Sequence, residues 1–149
     1  MNRRAFIVAS LSAPLFAHPA LAAAPRMSVA KSPTCGCCSA WVDHVRAAGF
    51  SVDVTEQSQE ALWMLKNSLS IAPDLSSCHT ARIDGYFVEG HVPAADISRL
   101  LAEKPDALGL TVPGMPVGSP GMEMGARRDP FETLLILRDG SVQVFTRHT

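Results

Sequence analysis

The stretch SPTCGCCSAWVDH, Ser32–His44, sets three cysteines in four positions at the front of a segment with helical periodicity. Trp41, Val42 and Val45 make an apolar stripe and Gly49 is a stop signal, so a helix is expected over Ser39–Ala48. Met27–Lys31 reads as the strand before it. Cys35, Cys37 and Cys38 therefore fall where a strand hands over to a helix. Any fold must also account for the one remaining cysteine, Cys78, kept for a distant SCHT.

The succession of elements narrows the choice. Phe50–Val54 alternates apolar and polar residues, as a half-buried strand does. Gln59–Leu69 reads as a second helix with Leu62, Leu65 and Leu69 at helical spacing, and Met64 as a core side chain. Thr80–Val88 reads as a hairpin turning at Asp84-Gly85. Pro93 suits the first turn of a third helix, whose core face is Ile97, Leu100 and Leu101. A last hairpin is expected from Thr133–Leu137 to Val142–Phe145, around Asp139-Gly140. The order β-α-β-α-β-β-α is the thioredoxin succession, in which reactive cysteines lie between the first strand and its helix. The expected fold is α/β and thioredoxin-like, with a C-terminal hairpin. Pro105–Pro130 shows little periodicity and is expected to be irregular. It carries two Pro-Gly-Met tripeptides, Pro113–Met115 and Pro120–Met122.

The first residues read as a signal for export. Arg3 and Arg4 precede the apolar Ala5–Ala17, and Ala20-Leu21-Ala22 is a small-x-small cleavage site. The apolar run is shorter than the ~20 residues of a membrane span and is interrupted by Pro14. A partial twin-arginine match, Asn2–Ile7, lacks Ser or Thr before the pair, so the export route stays open. The division is thus a signal peptide over 1–22 and one domain over 23–149. Without Arg3 and Arg4 the balance of 13 basic against 14 acidic residues becomes 11 against 14, which gives no basic footprint for nucleic acid.

Three chemistries fit the cysteines. Cys35 and Cys38 form a C-x-x-C at a helix N-terminus, where thiolates are stabilised, with Cys35 as the attacking thiol. Cys37 between them could trap a wrong pairing. Structural disulfides are a second reading. Four cysteines allow three connectivities. A bridge from Cys78 to the cluster is the favoured one, because adjacent Cys37 and Cys38 are poorly placed to bridge each other.

The third reading is a soft-metal site. Clustered thiolates sit at the positive end of a helix, while Cys78 and His79 face them from the loop before the hairpin. His91, at the other end of that hairpin, is a further candidate. Thiolates and thioethers select Cu(I), and imidazole also suits zinc and Cu(II). Zinc is the rival metal, since Cys₃His sites exist, but C-x-C-C followed by C-H has no standard finger spacing. Met115 and Met122 favour copper, because thioethers are poor zinc ligands. His44 reads as a surface or capping side chain and His148 as a terminal one. P-loop, nucleophile-elbow and paired-carboxylate signatures are missing from the sequence.

The segments CGCCSAWVDHVRAAGFSV, SCHTARIDGYFVEGHVPAADISRLLAEKPDALGL and TVPGMPVGSPGME resemble the CopG family of exported bacterial copper-resistance proteins. The resemblance runs from about Met27 to Glu123 and more loosely through the last hairpin. It implies a thioredoxin-like fold that binds copper through Cys35, Cys37, Cys38 and Cys78, with His79, His91, Met115 and Met122 nearby. The expected protein is periplasmic and holds Cu(I), alone or in a cysteine-bridged cluster, for copper detoxification or Cu(I)/Cu(II) interconversion. Its expected partners are copper ions and other periplasmic copper-handling proteins. The competing expectation is a thiol–disulfide oxidoreductase using Cys35 and Cys38.

Overall fold

The computed structural model describes residues 24–149, so the expected signal segment lies outside the described residues. The elements run β1 (Arg26–Lys31), α1 (Gly36–Ala47), β2 (Ser51–Glu56), α2 (Gln59–Ser68), a one-turn 3₁₀ helix (Pro73–Leu75), β3 (Thr80–Ile83), β4 (Tyr86–Gly90), α3 (Ala94–Glu103), β5 (Ala107–Val112), β6 (Phe131–Leu137) and β7 (Val142–His148). One seven-stranded sheet has the order β2-β1-β3-β4-β5-β6-β7. β1 runs parallel to β2 and antiparallel to β3, and β3 and β4 form the expected hairpin. The part up to α3 is thioredoxin-like, and β5, β6 and β7 extend its sheet.

Spacing explains the helices. α1 buries Cys38, Trp41, Val42 and Val45, one face at positions i, i+3, i+4 and i+7. α3 adds Ile97 and Leu100 to the same core, which lies over Met27, Val29, Ala81, Val88 and Leu110 of the sheet. α2 packs on the opposite face, where Lys66 reaches Thr80 of β3. A second small core there joins Ile71, Phe87 and Ile136. Ser58 caps α2 by accepting the Ala61 N–H at 3.2 Å.

Two expectations are corrected. Met64 is 61% exposed rather than core. Leu62 and Lys66 set the buried stripe of α2, and Met64 stands about 200° around the helix from either. Ala107–Val112 is a strand, not irregular chain. It pairs with β4 in parallel and with β6 antiparallel. Buried on both faces, it shows none of the alternation that marks a half-exposed strand. The segment that remains irregular, 113–130, crosses the end of the sheet where the cysteines lie.

The C-terminal hairpin is fastened to α3 by a buried carboxylate. Asp96 accepts hydrogen bonds from Thr133 (2.6 Å), Thr146 (2.9 Å) and His148 Nε2 (2.9 Å). Among the described residues no helix is long and apolar enough to cross a membrane.

Candidate metal centre

The centre is assembled from three stretches of chain. Cys35 is the N-cap of α1, in extended conformation and without a side-chain capping bond, and Cys37 and Cys38 lie in the first turn. That turn brings the Cα atoms of Cys35 and Cys38 to 5.3 Å, and the two form a disulfide. Cys37 and Cys78 are free thiols. This corrects the favoured structural pairing, since Cys78 bridges nothing and lies 3.9 Å, sulfur to sulfur, from Cys37. A three-residue spacing across a helix start suits a bridge, and the C-x-x-C geometry wins. Cys35 Sγ also lies 3.5 Å from Cys37 Sγ, so the middle cysteine does crowd the pair. All four sulfurs fall within 4.8 Å of one another.

The second stretch supplies nitrogen. Cys78 and His79 directly precede β3, and His91 directly follows β4. The closed hairpin therefore returns His91 to Cys78. His91 Nε2 is 3.1 Å from Cys78 Sγ and His79 Nδ1 is 3.6 Å from it. Both imidazoles are fully buried, and Trp41 packs against His79 with ring centroids 4.4 Å apart.

The third stretch is the Pro/Gly loop. His91 Nδ1 donates to the Pro120 carbonyl at 2.8 Å, which leaves Nε2 free to accept from Cys78. Gly121 lies so close to α1, with φ +84°, that a Cβ there would stand 2.7 Å from the Cys37 carbonyl oxygen. The Gly114 N–H donates to Ser76 O at 3.1 Å, and Ser77 Oγ donates to Gly114 O. Both Pro-Gly-Met backbones thus border the centre. The Met115 side chain is 52% exposed and that of Met122 half-buried, so the structure brings their segments to the rim.

Burial decides the protonation states. It pushes the Cys78 thiol up to about 12, helped by the neighbouring Cys37. It holds His79 well below the usual imidazole value, with the neighbouring His91 ring and the Lys66 ammonium further opposing a charge there, and it lowers His91 as well. The imidazoles are therefore neutral, the form in which they bind metals, and Cys78 is a protonated thiol until a cation compensates its charge. His79 Nε2 is buried without a hydrogen-bond partner. The nitrogen that faces Cys78 is the other one, Nδ1, and neutral imidazoles gathered with free thiols are a donor set that suits a soft metal ion.

Residues 75–122, which include Cys78, His79, His91, Met115 and Met122, match a family described as a protein of unknown function, DUF411. Two solved structures align over nearly their whole length. Copper resistance protein CopG, form 2, is 42% identical with a TM-score of 0.79, over 85% of this chain and 99% of that one. Form 1 is 44% identical with a TM-score of 0.77, over 83% of this chain and 98% of that one. This chain belongs to the CopG family. No curated protein matches it.

Some functional geometry of this CopG-family chain escaped the sequence. His44, read as a surface or capping group, is indeed a cap, but of another helix than its own: its Nε2 accepts the Ala94 N–H at the start of α3, at 3.1 Å. Burial lowers its pKa, consistent with a neutral acceptor. Beneath Cys78 lies a buried ion pair of Lys66 with Glu89, bound also to Thr80. Its signals were present, a lysine four residues after Leu62 on an apolar stripe and a glutamate inside the run Tyr86–Gly90. Only the meeting of α2 with β3 and β4 makes them one feature.

Proposed function

We propose that the protein is exported by cleavage after Ala22 and that its mature domain, 23–149, binds Cu(I) in the periplasm. The observation that carries this reading is the convergence of four cysteine sulfurs within 4.8 Å, with two neutral, buried histidines on the same cysteine. The solved relatives are copper resistance proteins, which supports copper over zinc as the cargo. When Cys35 and Cys38 are reduced, Cys35, Cys37, Cys38 and Cys78 would serve as thiolate donors able to bridge more than one ion. His79 and His91 would complete the inner side, and Met115 and Met122 the rim. Because Cys78 is protonated in the metal-free protein, loading expels its proton, and retention weakens as pH falls. The histidines also tolerate Cu(II), so the same donor set serves resistance by sequestration or by Cu(I)/Cu(II) interconversion.

The disulfide favours a second reading, a thiol–disulfide oxidoreductase using Cys35 and Cys38. Cys37 separates the two. The reduced mature chain is offered Cu(I) and Zn(II) together without oxygen, desalted, and assayed for metal and reactive thiols. More than one copper per chain with shielded thiols is expected, and Cys37→Ala should lower that number. Free exchange with a disulfide substrate and no retained copper would put the oxidoreductase first. Unchanged copper content in Cys37→Ala would remove Cys37 from the donor set.

A further inference from the structure

Glu89 is the fourth of the five residues of β4, directly after Phe87-Val88, with no solvent exposure, and its partner Lys66 is 1% exposed. A buried ion pair is a poor way to stabilise a fold. The desolvation of both ions offsets most of the attraction, and apolar replacements of similar volume are often neutral or stabilising. Burial raises the Glu89 pKa and Lys66 opposes that rise. The arrangement of the carboxylate suggests what it is retained for. One oxygen accepts the Ser77 N–H at 2.6 Å and the Lys66 ammonium, and the other accepts the Thr80 hydroxyl at 2.7 Å. Lys66 also donates to Thr80 Oγ1 at 2.9 Å.

Ser77 and Thr80 are the residues on either side of Cys78-His79. One rigid carboxylate therefore grips that dipeptide at both ends. The next residue, Gly90, tightens the hold: its N–H donates to the His79 carbonyl at 3.0 Å. Its backbone approaches Ser77 so closely that a Cβ would stand 2.4 Å from Ser77 Cβ. His91 follows directly, so the donors on both arms of the hairpin are referenced to the same group.

We infer that Glu89, with Lys66 as its counter-ion, is a positioning residue of the metal centre that fixes Cys78 and His79 opposite the cysteines of α1. The inference rests on the copper reading. A group that only holds the fold together would, when changed, lower stability and leave the affinity of each folded chain as it was. A positioning group changes the site itself, and supporting residues around metal ligands are typically worth roughly 10- to 100-fold in affinity.

The test uses the full mature chain, reduced. Cu(I) affinity is measured by competition with a chromogenic chelator, the near-ultraviolet thiolate–Cu(I) band is recorded, and the metal-free stability of each variant is taken by denaturation. Glu89→Gln keeps the shape without the charge, and Glu89→Asp keeps the charge without the reach. Both are expected to bind Cu(I) about tenfold or more weakly with an altered band, and Lys66→Arg to stay near the parent. Folded Glu89 variants with the parent's affinity and band would overturn the inference, whatever their stability. Should both Glu89 variants fail to fold, Thr80→Val releases one end of the dipeptide only. A smaller loss of affinity is then expected, and none would overturn the inference. A parent chain that retains no Cu(I) would sink the copper reading and this inference with it, whereas a binding parent with indifferent variants sinks the inference alone.

Discussion

At the scale of single residues, the proposed centre depends on atoms that hold its candidate donors in place as much as on those donors. Gly121 is the sharpest case. Its positive φ and its contact with the Cys37 carbonyl leave no room for a side chain. Gly121→Ala should cost roughly 1–3 kcal/mol and push the loop off α1, moving the Pro120 carbonyl from His91 Nδ1. Denaturant unfolding would show the loss, and weaker copper retention at equal folded fraction would show the displaced histidine. Wild-type retention in a stable Gly121→Ala chain would mean that the loop does not set His91. The cysteines and both histidines could be read from the sequence because their chemistry is rare and locally crowded. The Pro120 carbonyl could not, since a backbone acceptor carries no residue signature.

At the scale of elements, helices and hairpins were legible where one face is wet. The Asp84-Gly85 hairpin stands as expected within the uncertainty of element ends, and α1 begins at Gly36, three residues before the expected Ser39, which takes Cys37 and Cys38 into its first turn. β5 was hidden because burial on both sides erases the period of two, and Met64 was misassigned because Lys66 takes the place that an apolar residue would mark. The C-terminal hairpin showed an ordinary alternating pattern, but its attachment depends on Asp96 of α3, a long-range contact with no local trace. Asp96→Ala leaves the Thr133 hydroxyl and His148 without their buried acceptor and should destabilise the protein by about 2–3 kcal/mol. Because none of its partners is a cysteine, copper affinity per folded chain should be unchanged. Urea denaturation followed by a copper titration checks both halves. A fall in affinity would mean that the hairpin acts on the centre.

At the scale of the whole molecule, the proposed donors come from the start of α1, from both arms of the β3–β4 hairpin and from the loop after β5, so they meet only in the folded chain. Copper should therefore stabilise the native state by about 2.7 kcal/mol at a hundredfold excess over its dissociation constant, a rise in Tm of roughly 10 °C. Thermal unfolding with copper and again after a chelator measures it, and equal midpoints would mean that the unfolded thiols bind as well. The placement of the disulfide bears on the same balance. Cross-links restrain the unfolded chain in proportion to the logarithm of the ring they close. A bridge from Cys37 to Cys78, 41 positions apart, would remove about 4 kcal/mol of unfolded-chain entropy, and one across a single helical turn only about 2 kcal/mol. The Cys35–Cys38 bond spans just three positions. It is a poor staple for the polymer, and for that reason it can open and close while the architecture around it stays in place.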